Sequence, residues 1–108
     1  MSPGDSVQPS AVHPDAPAPG EARSVVTVRN KLGLHARAAA RFVKLASQFS
    51  AAITVSKDGT TVSGLSIMGL MMFAAGLGSP LEIRATGADA ERAVEALVAL
   101  VSGKFDED

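Results

Sequence analysis

Five of the six prolines, Pro3, Pro9, Pro14, Pro17 and Pro19, lie within the first 23 residues of the 108-residue chain. Proline fixes φ and lacks a backbone donor, so this distribution confines regular helices and strands to the rest of the chain. After Met1, only Val7 and Val12 are large apolar residues there, too little surface to offset the entropy of ordering. Residues 1–23 are therefore expected to be a disordered Pro/Ala-rich tail, and residues 24–108 one small domain with an economical core. The tail has neither the basic start nor the apolar stretch of a secretory signal, and too few arginines for a transit peptide. No run of eighteen apolar residues occurs, so a cytoplasmic protein without a membrane partner is expected.

Within the domain, the apolar pattern switches period several times. Residues 24–29 (SVVTVR) alternate and are β-branched, which predicts a strand. After the turn residues Asn30 to Leu34, the positions Ala39, Phe42, Val43, Ala46 and Phe49 recur at helical spacing, with Arg37, Arg41, Lys44 and Gln48 opposite. Residues 52–56 and 60–63 read as strands joined by Lys57-Asp58-Gly59, a tight hairpin turn. Ser66 is placed to cap a helix over 67–75, stopped by Gly76 and Gly78. Residues 80–85 alternate again, and Asp89 is placed to cap a last helix burying Ala93, Val94, Leu97, Leu100 and Val101. The order β-α-β-β-α-β-α predicts an α+β sandwich, with helices covering one face of an antiparallel sheet.

Composition narrows the chemistry. There is no cysteine, which removes disulfides, thiolate nucleophiles and thiolate metal sites. The only aromatics are four phenylalanines, so stacking platforms for bases are missing and no nucleic-acid partner is expected. Two histidines without ligand spacing predict no metal site, and no cofactor is expected. His13, in the tail, is assigned no role.

Ten basic and eleven acidic residues give a net charge of −1, but the charges are unevenly placed. Residues 24–57 contain no acid, yet hold Arg29, Lys31, Arg37, Arg41, Lys44 and Lys57. His35 sits in this stretch, at the predicted start of the first helix. Unpaired amides and the macrodipole make such a position favourable to an anion. They also disfavour the imidazolium, which leaves a ring lone pair free to attack phosphorus. A phosphoryl group on His35 would meet the helix amides and the guanidinium of Arg37, suited to phosphate oxygens. No carboxylate is near His35 in sequence to serve as a general base, and a neutral imidazole needs none. A reversible carrier is expected rather than a hydrolase. The blander alternative, a structural histidine beside a solvated basic helix face, uses the same residues.

The stretch Ser66 to Ala75 carries no charge, although a short helix on an open sheet buries only one side. If Ile67, Leu70 and Ala74 face inward, Met68, Met71 and Met72 face out, and flexible thioethers suit a surface that docks partners. A phosphate added to Ser66 would set negative charge beside that surface. A regulatory interaction module controlled at Ser66 is thus an alternative function, and a ligand-binding α+β domain indifferent to His35 is a third.

Gly33-Leu34-His35-Ala36-Arg37, then Phe42-Val43-Lys44, then Ser66-Ile67-Met68-Gly69-Leu70 resemble the HPr family, histidine-containing phosphocarriers of the phosphoenolpyruvate-dependent phosphotransferase system. The resemblance implies an open-faced β-sandwich of four antiparallel strands with three helices, and a phosphoryl carrier with a transient phosphohistidine rather than an independent enzyme; a monomer is expected. It implies that His35 takes phosphoryl at Nδ1 from enzyme I and passes it to an enzyme IIA domain, with Arg37 attending. It implies that Ser66 is the position an HPr kinase/phosphorylase modifies; Ile67, Met68 and Met71, on the uncharged helix, are expected to contact partners. Ala38 departs from the proline common after the arginine, so an amide N–H returns to the first helical turn and a fixed φ is lost. With the GLSIMGLMM stretch, this looks more like the nitrogen-related branch than a sugar-uptake HPr.

Overall fold

The computed structural model describes residues 20–107. Strand β1 (Glu21–Thr27), helix α1 (Ala36–Ala46), strands β2 (Ala52–Lys57) and β3 (Thr60–Ser63), helix α2 (Ile67–Met72), strand β4 (Pro80–Thr86) and helix α3 (Ala90–Ser102) come in order, then a 3-10 turn (Lys104–Asp106). The four strands form one antiparallel sheet in the order β1-β4-β2-β3. Helix α3 lies across β1 and β4, and α1 packs against both α2 and α3. The expected α+β architecture, with three helices on one face, is the one observed.

Alternation explains the two faces. Ala22, Val26, Ile53, Val55, Leu81, Ile83 and Ala85 point inward and are buried, whereas Thr54, Ser56, Glu82 and Arg84 line an open depression on the bare face. The hairpin turn is as expected: Asp58 and Gly59 both have positive φ, 51° and 84°, the pairing of signs that matches strand twist.

Several boundaries differ from expectation. Residues 1–19 of the expected tail lie outside the described residues, but Glu21, Ala22 and Arg23 belong to β1, not to a tail. They pair with Thr86, Ala85 and Arg84, and Glu21 and Arg23 form ion pairs with Arg84 and Glu82 at 3.4 and 3.6 Å. The partner strand, not local propensity, sets that end. At the other end β1 stops at Thr27, because Val28 leaves the ladder and bonds to Ser79 and Gly78 instead, both at 2.8 Å.

Helix α2 ends at Met72 rather than near Ala75, since Ala74 turns to a φ of 50° and the Ala75 carbonyl accepts from Leu34 N–H at 2.8 Å. Its inner residues are Gly69 and Leu70. Ile67 and Ala74, expected inside, are exposed. The close approach explains this: a Cβ on Gly69 would sit 3.0 Å from that of Val62, so the helix rests on its glycine and turns Ile67 outward. In α3, Leu100 is only partly buried, while Ala90 joins the core. Asp89 precedes α3 but makes no capping bond; its carboxylate accepts from Ser50 N–H at 2.8 Å and Arg92 at 3.0 Å, tying α3 to the chain entering β2.

Candidate functional site

The loop between β1 and α1 is held by its backbone. Gly33 has a φ of 66°, and a Cβ there would lie 2.2 Å from the Ala75 carbonyl oxygen, so only glycine lets this loop close onto the segment after α2. Asn30, buried in the loop, donates from Nδ2 to the Gly33 carbonyl at 2.8 Å and to Glu107 Oε1 at 3.0 Å. Two acceptors fix which end of the amide faces them. The Asn30 Oδ1 atom is buried without a hydrogen-bond partner among the described residues, a state that costs about 1–3 kcal/mol.

These contacts deliver His35 to the N-cap of α1 with extended φ/ψ of −78° and 178°. Its carbonyl accepts from Ala39 N–H at 2.8 Å, and its Nδ1 accepts from Arg37 N–H at 3.2 Å. No acid lies in the first turn of α1, so nothing within that turn offsets the positive end of the helix at this ring. The hydrogen bonds set the tautomer. Arg37 N–H can only donate, so Nδ1 carries the lone pair and the neutral ring's proton is on Nε2. That Nε2 lies 2.5 Å from Glu107 Oε2.

No carboxylate lies near His35 in sequence, as expected, yet the fold brings one to it across 72 positions. The turn after α3 brings Glu107 back. Lys104, Phe105 and Asp106 all have left-handed φ, between 53° and 64°, at a backbone cost of about 1–2 kcal/mol each. Phe105 is fully buried and its carbonyl accepts from Arg41 at 2.5 Å. Burying a phenylalanine stabilises by about 1.5–3 kcal/mol, which offsets much of that cost. Burial by itself would raise the Glu107 carboxyl. Hydrogen bonds from Asn30 and His35, with attraction to His35 when its ring is protonated and to Arg41, outweigh it and hold the group below its ordinary value.

Arg37 is exposed, and its side chain has no hydrogen-bond or ion-pair partner among the described residues. It shares an open concavity with His35, Lys31, Leu32, Ala36 and Glu107. Ala38, the departure from the usual proline, is fully buried inside α1. Ser66 lies elsewhere, at the start of α2: its hydroxyl caps that helix, accepting from Gly69 N–H at 2.9 Å. Ile67, Met68 and Met71 come after it, all exposed, as is Met72. The structure therefore joins His35 and Arg37 in one place and sets Ser66 and the apolar residues on a neighbouring helix tied to it through the Leu34–Ala75 bond. Residue reasoning missed Asn30 and Glu107. Nothing local marks either, and only the acids ending the sequence hinted at a partner for the basic stretch.

Among the described residues no helix is long and apolar enough to cross a membrane. The family profile described as the PTS HPr component phosphorylation site matches residues 22–103. The chain is 46% identical over 81 residues to the phosphocarrier protein HPr of Cupriavidus necator, covering 75% of this chain and 91% of that one. The phosphocarrier protein NPr of Shewanella violacea is also 46% identical, over 82 residues, covering 76% and 90%. Among solved structures, HPr-C-His from Thermoanaerobacter tengcongensis superposes with a TM-score of 0.77 at 44% identity, covering 81% of this chain and 98% of that one. With this sequence identity and this shared fold, the chain belongs to the HPr family of phosphotransferase-system phosphocarriers.

Proposed function

We propose that His35 is the residue on which this phosphocarrier holds its phosphoryl group, at Nδ1, taken from a phosphohistidine of enzyme I and passed to a histidine of an enzyme IIA domain. One observation carries the reading: Nδ1 is the ring nitrogen that accepts, from Arg37 N–H at 3.2 Å, and it lies at the amide end of α1. In the transfer, the Nδ1 lone pair forms the new N–P bond as the donor's N–P bond breaks, and the donor nitrogen recovers the electron pair. First-turn amides and the unpaired Arg37 guanidinium supply donors where charge gathers on the transferring oxygens. The exposed Ile67, Met68 and Met71 offer an apolar docking surface beside the site, and the carrier works as a cytoplasmic monomer.

Incubation with labelled phosphoenolpyruvate and enzyme I should give an acid-labile, alkali-stable label that is lost in His35→Ala. Wild-type protein that stays unlabelled with an active enzyme I would sink the reading.

A second reading adds to the first. Ser66 lies beside that same apolar surface and its hydroxyl caps α2, so a phosphate there, placed by an HPr kinase/phosphorylase, would put charge where partners dock. Such a label needs ATP and a protein kinase and is acid-stable. Continued labelling of Ser66→Ala by that kinase would contradict it.

A further inference from the structure

Attack by Nδ1 leaves one polar contact of the ring without a role, the carboxylate at its far nitrogen. We propose that Glu107 is a positioning residue for phosphoryl transfer, holding the Nε2 proton of His35 so that Nδ1 alone is presented to phosphorus. This rests on the assignment of His35 as the phosphoryl acceptor. Glu107 is itself held, by Asn30 Nδ2 on one oxygen and by His35 Nε2 on the other. Arg41 fixes the Phe105 carbonyl two residues before it. The carboxylate is thus built into the site rather than resting on it.

The placement suits the chemistry. When Nδ1 forms its bond to phosphorus it gives up the hydrogen bond from Arg37 N–H, and the ring retains the Nε2 proton and gains positive charge. Glu107 meets that charge from the ring nitrogen that is not attacked, so its carboxylate does not compete with the phosphoryl oxygens for the helix amides. When the group leaves with the N–P bond cleaved, the electron pair returns to Nδ1 and the original hydrogen bond is restored. No proton has to enter or leave the site in either direction. A carboxylate oriented on a histidine in this way selects the tautomer and stabilises the charged ring, without being protonated itself.

The test uses the full chain with enzyme I and phosphoenolpyruvate, comparing wild type, Glu107→Ala and Glu107→Gln. In wild type, the His35 ring shows a Nε2–H proton resonance at low field, protected from exchange. Glu107→Ala loses it, and single-turnover phosphorylation slows about tenfold while affinity for enzyme I is unchanged. Glu107→Gln retains an acceptor oxygen without the charge, and gives an intermediate rate. Wild-type speed in Glu107→Ala overturns the inference alone. A matched loss of affinity and rate overturns it too, since it would assign Glu107 to docking. If wild type takes no label, or His35→Ala takes it equally well, the assignment of His35 falls and this inference with it.

Discussion

Arg37 offers the proposed transfer a charge that nothing else in the described protein uses, because its guanidinium is exposed and unpaired among the described residues. A charge-assisted bond to a phosphoryl oxygen is worth about 1.5–3 kcal/mol. Arg37→Ala should therefore slow single-turnover labelling of His35 by about 10–100-fold, and Arg37→Lys should recover only part, since an ammonium cannot make the bidentate contact. Unchanged rates in both would remove Arg37 from the chemistry. Asn30 acts on the fold instead. Asn30→Ala deletes bonds to Gly33 and Glu107 and should lower stability by about 1–3 kcal/mol in urea unfolding. The placement of His35 and Arg37 together at the start of α1 was legible in sequence because a glycine-bearing loop, a histidine and a basic helix start lie close together along the chain. Asn30 and Glu107 were not, because their roles exist only once the turn after α3 closes on the loop.

Gly33 and Ser66 decide how α1 and α2 are held. Gly33→Ala meets both a left-handed φ and the Ala75 carbonyl, and should cost about 1–3 kcal/mol and misplace His35, seen as lower stability together with slower labelling. Ser66→Ala loses only the cap of α2; stability should fall by about 1 kcal/mol while His35 labelling keeps its rate. Slower labelling in Ser66→Ala would show that α2 reaches into the transfer step. The elements themselves were readable from their periods and turn residues, and the Asp58-Gly59 hairpin formed as expected. What escaped was tertiary. β1 was extended by pairing with β4, α2 was cut short by the bond between Leu34 and Ala75, and Asp89 was drawn to Ser50 instead of capping α3.

Across the molecule, near-neutral charge conceals a division of labour. Acid-free residues 24–57 supply the basic site, and an acid from the far end of the sequence comes back to complete it. The carboxyl of Glu107 faces Asn30, His35 and Arg41, and it is held below its ordinary value. A depressed native value means that its contribution is present above the ordinary carboxylate range and is lost as pH falls through the native one. The turn at Lys104–Asp106 should therefore stay closed at neutral pH and open in acid. Amide exchange of residues 104–107 measured against pH checks this, and Glu107→Gln should abolish that acid-dependent component.

The proposed mechanism requires phosphoryl to sit on one defined nitrogen, and nitrogen–phosphorus coupling in the phosphorylated, isotope-labelled chain tests this most directly. Coupling of a single phosphorus to Nδ1 of His35 is the predicted result. Coupling to Nε2, the nitrogen engaged by Glu107, or phosphoryl transferred from enzyme I to any residue other than His35, would contradict it.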